Sequence, residues 1–178
     1  MIQGDKSINE LIKRGAVRST HKLIVNPASL NIRLGNTFLV HNNADGGIHL
    51  GDKVGYTQHE IKDDEEFCLL PGQFALATTI EVFNIPSNLA AYVQGRSSIG
   101  RAGLSVQNAG FIDPGFFGQI TLELKNETQN AIYLRPGYPI AQIIFEETTP
   151  VDTVYNGKYS GQMGATGSRM ERDAQDYA

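Results

Sequence analysis

The stretch AGFIDPGFFGQITLEL, residues 109–124, is the part of the chain that decides the fold class. It turns at Asp113-Pro114-Gly115 and then alternates between apolar and polar side chains, with the apolar ones at Ile120, Leu122 and Leu124. A period of two sends those apolar side chains to one face of a strand and Thr121 and Glu123 to the other. The stretch therefore predicts a turn followed by a half-buried β-strand.

The same pattern extends through much of the chain. Alternating apolar positions recur at Leu30, Ile32 and Leu34, and again at Phe74 and Leu76. Turn-forming sequences separate the runs at Leu70-Pro71-Gly72, Ile85-Pro86-Ser87-Asn88 and Arg135-Pro136-Gly137. Short strands at intervals of roughly ten residues predict a β-sandwich, a jelly roll or a barrel.

The two ends of the chain differ from this pattern. Ser7-Ile8-Asn9-Glu10 is typical of a capping box at the start of a helix, and Gly15 suits the left-handed residue past its end. From Tyr155 onward the chain is Gly-rich and polar without a period, which predicts a flexible tail that a partner or ligand orders. We therefore expect one β domain with a short N-terminal helix over residues 1–154 and a C-terminal tail over residues 155–178.

Composition excludes several classes of partner. The chain has 178 residues, of which 40% are hydrophobic and 19% charged, as in a globular domain. Its net charge of −4 has the wrong sign for a protein that coats nucleic acid. No apolar run approaches the ~20 residues of a membrane span, and the first residues do not resemble a signal peptide. We expect a cytoplasmic protein with no nucleic-acid or membrane partner.

Cysteine and histidine usage argues against a zinc enzyme. Cys68 is the only cysteine, and all four histidines precede residue 60 without forming a His-x-x-x-His pair. The apolar neighbours of Cys68 favour a buried thiol over a reactive one. Lys62-Asp63-Asp64-Glu65-Glu66 lacks the alternating spacing of a calcium loop, which favours an exposed hairpin tip over a cation site.

Two features leave alternatives open. Residues 94–103 contain two arginines, two serines and three glycines, a composition that suits phosphate oxygens but also an ordinary surface turn. Glu123 is either an exposed carboxylate on the outer face of its strand or a group that takes and gives a proton. The residues alone do not decide between these readings.

Four motifs in order resemble the second to fifth motifs of the dUTPase and dCTP deaminase superfamily. They are Gly95-Arg96-Ser97-Ser98 with Arg101, Gly110-Phe111-Ile112-Asp113-Pro114-Gly115 with Phe117-Gly118, Gly137-Tyr138-Pro139-Ile140-Ala141-Gln142, and Gly157-Lys158-Tyr159-Ser160-Gly161-Gln162 through Gly164 and Ser168. The opening helix and residues 27–34 resemble the N-terminus of the deaminase branch. The resemblance therefore covers nearly the whole chain.

This resemblance implies a mainly β fold, a distorted dUTPase-like jelly-roll β-barrel. It also implies a homotrimer with sites between subunits and a tail that closes over the nucleotide. The implied reaction is zinc-independent hydrolysis of dCTP at C4, with Mg²⁺ held mainly by the triphosphate. Gly110 and Phe111 match the bifunctional members, which also cleave the α–β phosphate bond. We therefore expect dCTP and dUTP as substrates, with dUMP for thymidylate synthesis, ammonia and pyrophosphate as products, and dTTP as feedback inhibitor.

Residues that match the motifs take the corresponding implied roles. Glu123 is expected to shuttle protons, while Ser97 and Arg101 position the water and stabilise charge. Asp113 is expected to accept the deoxyribose 3′-hydroxyl and to align a second water for phosphate cleavage. The other implied contacts to the nucleotide and its phosphates are Arg96, Ser98, Ile99, Gly100, Ala109, Thr121, Leu122, Gln142, Tyr155, Lys158 and Gln162.

Three alternatives remain: a deaminase that releases dUTP only, a dUTPase without deaminase activity, and a non-catalytic nucleotide-binding jelly roll. The resemblance assigns Glu123 to deamination and so argues against the plain dUTPase. The full set of charged motif residues argues against the non-catalytic protein.

Overall fold

The structure is a computed structural model that describes residues 1–42, 47–62, 64–107 and 111–177. Short helices lie at each end of the chain and in its middle: α1 (Asp5–Lys13), α2 (Ser97–Arg101) and the 3₁₀ helix η1 (Met170–Tyr177). The strands are β1 (Val17–Arg18), β2 (Ile24–Asn26), β3 (Ser29–His41), β4 (Tyr56–Glu60), β5 (Phe67–Leu69), β6 (Phe74–Asn84), β7 (Leu89–Gly95), β8 (Leu104–Gln107), β9 (Phe111–Ile112), β10 (Phe117–Asn126), β11 (Ile132–Leu134) and β12 (Pro139–Glu147).

The long strand β3 joins the two halves of a curled sheet. Its first half pairs with β12 and β2, and its second half pairs with β6 and β4, all antiparallel. Within the described residues, the sheet runs in the order β8-β10-β6-β3-β12-β7-β9, and β5 pairs separately with β11. Because one strand serves both halves, the sheet curls around a single core. The predicted mainly β fold with a short N-terminal helix is confirmed.

The core lies inside this curl. The alternating residues predicted to share a face are all buried: Leu30, Ile32, Leu34, Ile120, Leu122 and Leu124. Each such side chain contributes about 1.5–3 kcal/mol through burial of apolar surface. Strand β6 differs, because Ala75 and Ala77 point into the core while Phe74 and Leu76 lie on the opposite, outer face.

Helix α1 begins earlier than its sequence predicts. Gly4 is the N-cap, so Ser7 lies inside the first turn and the capping box does not form. The C-terminal prediction is confirmed, since Gly15 has a φ of +81°. The Gly15 N–H donates to the Ile12 carbonyl at 2.9 Å and the Ala16 N–H donates to the Leu11 carbonyl at 3.0 Å, a Schellman motif.

The acidic stretch after β4 is exposed, as predicted, but it is not a hairpin tip. Strand β4 pairs with β3 while β5 pairs with β11, so the two strands that flank the stretch do not pair with each other. Asp63 lies outside the described residues.

Cys68 is a free, half-buried thiol on β5, less enclosed than expected. Within the described ranges, no group of three His, Cys, Asp or Glu side chains converges as a metal-binding cluster.

None of the helices in the described part of the chain has the length and apolar character needed to cross a membrane.

Glu81 is a buried carboxyl at the point where β3 changes partners. Its side chain is inaccessible to solvent, and Oε2 accepts the Arg33 backbone N–H at 2.9 Å. Among the described residues, Oε1 is buried without a hydrogen-bond partner. Burial raises the pKa of the Glu81 carboxyl above its ordinary value of 4.5. Where β3 changes partners, the Glu81 carboxyl therefore accepts the Arg33 N–H in place of a backbone carbonyl of a neighbouring strand.

Glu81→Gln is expected to become more stable relative to the parent as pH rises from 4.5 toward 7. A raised pKa in the folded state means that the stabilising contribution of Glu81 is fully present below the unfolded pKa and is lost as pH rises through the folded pKa. The amide keeps an acceptor for Arg33 and does not ionise. Urea unfolding of both proteins across this pH range measures the difference.

The control for Glu81→Gln is Glu81→Leu, which leaves the Arg33 N–H unpaired and is expected to cost about 1–3 kcal/mol at pH 4.5. A stability difference between Glu81→Gln and the parent that stays constant with pH contradicts the prediction.

Candidate active site

A pocket of about 530 Å³ lies between the outer face of the sheet and the C-terminal tail. Its floor comes from β10, β6 and β3, and its tail side includes Tyr155, Gln162 and Thr166. The volume falls in the range of small-molecule sites. We call it the Glu123 pocket.

The alternation of β10 places the central carboxylate of this pocket. Leu122 and Leu124 are fully buried, so Glu123 between them points outward and is half-buried. On the neighbouring strands Glu123 lies opposite Leu76 and Gln107. Asp113 reaches the same pocket from the turn between β9 and β10. Glu123 therefore lies on the outer face of its strand, but this face forms the floor of a pocket that the C-terminal tail partly covers.

The pocket brings together part of the predicted site. Its members among the predicted residues are Phe111, Asp113, Thr121, Glu123, Tyr155 and Gln162. Ala109 and Gly110 lie outside the described residues. Phe74 and Leu76 supply an apolar wall that the sequence analysis did not assign to the site.

Gly95 of the arginine-serine motif lies against Val106 of β8, but the motif is not part of the described pocket lining. The predicted residues that do not line the described part of the Glu123 pocket are Arg96, Ser97, Ser98, Ile99, Gly100, Arg101, Leu122, Gln142 and Lys158. Arg96 donates through Nη1 to the Pro139 carbonyl at 2.6 Å, and Gly95 pairs with Ala141 on β12. We call α2, Arg96 and the adjacent part of β12 the Arg96 cluster.

The Arg96 cluster presents polar groups to solvent. Ser97, Ser98 and Arg101 are exposed. On the adjacent strand β12, the Gln142 Oε1 accepts a hydrogen bond from the Ser29 hydroxyl at 3.0 Å. The second and fourth motifs thus meet through the pairing of β7 with β12, whereas the third and fifth motifs meet at the Glu123 pocket.

Three residues with predicted nucleotide contacts have other partners within this chain, and their contacts with a nucleotide stay predictions. The Leu122 side chain fills the core. Ile99 packs against the same core. Lys158 donates to Asp173, and this hydrogen bond raises the pKa of the Lys158 ammonium.

The tail is held by its own chain. Gly118 and Gln162 form an isolated parallel bridge, and a Cβ on Gly118 would lie 2.6 Å from the Gln162 carbonyl oxygen. Gly118 also has a φ of +138°, so only glycine fits this close approach without strain. The Tyr155 N–H donates to the Pro114 carbonyl at 2.8 Å. Strands of the same chain therefore bind the tail, and the expectation that a partner or ligand orders it stays a prediction.

Three residues missed by the sequence analysis bind the tail backbone. Gln119, Thr37 and Tyr56 accept hydrogen bonds from N–H groups of residues 164, 165 and 168. Because side chains of a strand alternate between its faces, Gln119 is expected on the same face as Thr121 and Glu123, so the sequence pattern could have placed it at the site. Thr37 and Tyr56 carried none, because only strand pairing brings β3 and β4 beneath the tail.

A family model described as dCTP deaminase-like matches residues 2–148. The chain belongs to this family. Among similar members of the dCTP deaminase-like family, the dUMP-forming dCTP deaminase of Aquifex aeolicus is 43% identical over 177 residues, which cover 97% of each chain. The dUMP-forming dCTP deaminase of Persephonella marina is 39% identical over 178 residues, covering 97% of this chain and 99% of the relative.

Solved structures agree with this assignment. The 2′-deoxycytidine 5′-triphosphate deaminase of Agrobacterium tumefaciens superposes with a TM-score of 0.67 at 25% identity, over 83% of this chain and 48% of that one. A dUTPase of Staphylococcus bacteriophage 80alpha superposes with a TM-score of 0.52 at 16% identity, over 80% of this chain and 88% of that one, which shows a shared fold. The predicted dUTPase-like fold is confirmed.

Proposed function

We propose that this protein is a cytoplasmic dCTP deaminase that forms dUMP. It hydrolyses dCTP at C4 and cleaves the α–β phosphate bond, giving dUMP for thymidylate synthesis, ammonia and pyrophosphate. The observation that carries the proposal is that Glu123 and Asp113 line the same pocket, in a chain about 40% identical to a dUMP-forming deaminase. The two carboxylates give the two hydrolytic steps separate groups.

Glu123 carries the deamination step. Its carboxylate takes a proton from the attacking water, delivers it to N3 of the cytosine ring and later assists departure of ammonia from C4. The half-buried position beside Leu76 limits competing solvent around the reacting atoms. The reaction needs no zinc, and the sequence offers neither a Cys-x-x-Cys nor a His-x-x-x-His ligand pair.

Asp113 carries the second step. It accepts the deoxyribose 3′-hydroxyl and aligns a water for in-line attack on the α-phosphorus, with pyrophosphate leaving. Phe111, two residues before it, is 60% exposed and lines the same pocket, so a neutral ring rather than a cation adjoins the carboxylate. The carboxylate oxygens of Asp113 are ligands of the type that Mg²⁺ prefers. Magnesium held mainly by the triphosphate neutralises phosphate charge.

A homotrimer completes the site in this proposal. The described lining of the Glu123 pocket includes no residue of the Arg96 cluster, yet a triphosphate needs both a base site and cationic donors. A neighbouring copy whose Arg96 cluster faces the Glu123 pocket supplies Arg96, Ser97 and Arg101 to the nucleotide. Ser97 and Arg101 are exposed and available for such a contact.

The remaining parts of the proposal concern ligands. dUTP is a second substrate, because the phosphate step acts on atoms that dCTP and dUTP share. dTTP is a feedback inhibitor that shares the deoxyribose and triphosphate but has no amino group at C4. Gln162 lies in the pocket, and its Oε1 is buried without a hydrogen-bond partner among the described residues, which makes its amide a candidate contact to the nucleotide.

Single-turnover reaction of the protein with dCTP and Mg²⁺ is expected to yield dUMP, ammonia and pyrophosphate in equal amounts with little free dUTP. Phe111→Arg is expected to stop phosphate cleavage and release dUTP, because a bulky cation then adjoins Asp113. Chromatography of the nucleotides together with ammonia and pyrophosphate assays measures each product. Tyr133→Arg is the matched control, since Tyr133 is an aromatic residue that is 64% exposed on β11, outside the pocket.

Each contrary outcome identifies an alternative. If dUTP is the only nucleotide product, the protein is the simpler deaminase. Hydrolysis of dUTP without ammonia from dCTP indicates a dUTPase, and turnover of neither nucleotide indicates a non-catalytic binding protein.

A further inference from the structure

We propose that Gln119 and Thr37 are positioning residues that hold the C-terminal tail over the Glu123 pocket and thereby set how much of the protein is ready to retain substrate. The effect on substrate rests on the proposed function, whereas the closure of the tail does not.

Three consecutive backbone N–H groups of the tail bind side-chain acceptors on the sheet. Gly164 donates to the Gln119 Oε1 at 2.7 Å, Ala165 to the Thr37 Oγ1 at 2.9 Å and Thr166 to the Thr121 Oγ1 at 3.1 Å. The acceptors come from β10 and β3, on either side of β6. Because the donors are backbone groups, this attachment depends on the sheet side chains rather than on the side chains of the tail.

Every polar group of Gln119 takes part in a hydrogen bond that bears on the attachment. Its N–H donates to the Gln162 carbonyl at 2.9 Å, and its carbonyl accepts the Gln162 Nε2 at 2.7 Å. Its Nε2 donates to the Thr79 carbonyl at 2.8 Å, where β10 and β6 shift register. The bulge frees that carbonyl, and the bond to it orients the Gln119 side chain so that Oε1 faces Gly164.

The attachment bears directly on the pocket. Thr166, whose own amide is anchored, and Gln162, two residues before Gly164, both line it, as do Thr121 and Glu123 from the sheet. When the tail lifts, these parts separate and the pocket loses one wall. For a ligand that binds only the closed state, the apparent dissociation constant is the intrinsic one divided by the fraction of molecules that are closed. Weakening the anchors lowers that fraction and so raises the apparent dissociation constant, without altering the chemistry at Glu123.

The test uses isosteric variants and limited proteolysis of the full chain in the absence of nucleotide. Thr37→Val and Gln119→Met remove the acceptors while keeping the shape, and Thr37→Ser keeps the hydroxyl. Thr57→Val is the matched control, because Thr57 lies on the neighbouring strand β4 and its hydroxyl donates to Asn42 at 2.7 Å. Trypsin cleavage after Lys158 and Arg169, followed by mass spectrometry, reports how often the tail is open.

Cleavage is expected to be about fivefold faster in Thr37→Val, because the loss of one hydrogen bond raises the open population by about that factor. It is expected to be faster still in Gln119→Met. Thr37→Ser and Thr57→Val are expected to stay within about twofold of the parent. Urea unfolding of each variant distinguishes tail opening from global unfolding. If Thr37→Val and Gln119→Met are cleaved like the parent, or if Thr37→Ser is cleaved as fast as Thr37→Val, the proposal is wrong.

Steady-state kinetics with dCTP and Mg²⁺ provide the second measurement. KM is expected to rise as the closed fraction falls, by at most the factor by which cleavage accelerates, with kcat within about twofold, because the tail contributes to retention and Glu123 to chemistry. A loss of kcat at unchanged KM overturns the positioning role. A parent that releases no ammonia overturns the proposed function instead, and the proteolysis result then decides the attachment by itself.

Discussion

Glu123→Gln is expected to lower the rate of dCTP deamination by about 10²–10⁴-fold, the range over which a positioned general acid-base group contributes. The amide keeps the size of the side chain and its place on the outer face of β10, but it cannot accept a proton from water. Because the other pocket groups are unchanged, dCTP binding is expected to stay within a few-fold of the parent. Ammonia release and equilibrium binding of dCTP measure the two effects separately.

The matched control for this prediction is Glu127→Gln. Glu127 is a carboxylate just past the end of β10 that forms an exposed ion pair with Lys125 at 3.2 Å, so its replacement is expected to leave deamination unchanged. If Glu123→Gln deaminates dCTP within a few-fold of the parent, Glu123 has no part in proton transfer.

Co-expression of Arg101→Gln with Glu123→Gln is expected to restore activity that neither variant has alone. In a trimer with shared sites, a working site needs Glu123 from one subunit and Arg101 from its neighbour. Random assembly of equal amounts places both intact groups together at about one quarter of the sites. Each variant alone is expected to lose at least about 10²-fold in rate, so the regained activity is large. Ammonia release by the purified mixed trimers measures it.

A second pair of variants serves as the control. Ser97→Ala and Arg101→Gln alter two groups that lie on helix α2 of one chain and are both assigned to deamination, so every mixed site lacks at least one of them and no activity returns. If the Arg101 and Glu123 variants also fail to complement each other while the mixture still forms trimers, Arg101 and Glu123 act from the same subunit or not together at all.

The sequence by itself determined the elements of this fold and the faces of most of its strands. Alternation at Ile120, Leu122 and Leu124 is a local property of the backbone, so it was sufficient to bury those side chains and turn Glu123 outward. Gly15 ended the first helix for an equally local reason, its positive φ. The family motifs, in order along the chain, are also local features and imply the reaction without any tertiary structure.

Tertiary structure alone decided which strands meet and what lies above them. Strand β6 turns Ala75 and Ala77 into the core, and Phe74 and Leu76 form part of the pocket wall. The burial of Glu81 depends on β3 changing partners, which no local pattern marks. The absence of Arg101 from the described lining of the Glu123 pocket, and the hydrogen bond of Thr37 to residue 165, likewise depend on pairing between distant segments. Such long-range contacts follow from the register of the whole sheet, and no single stretch of sequence encodes it.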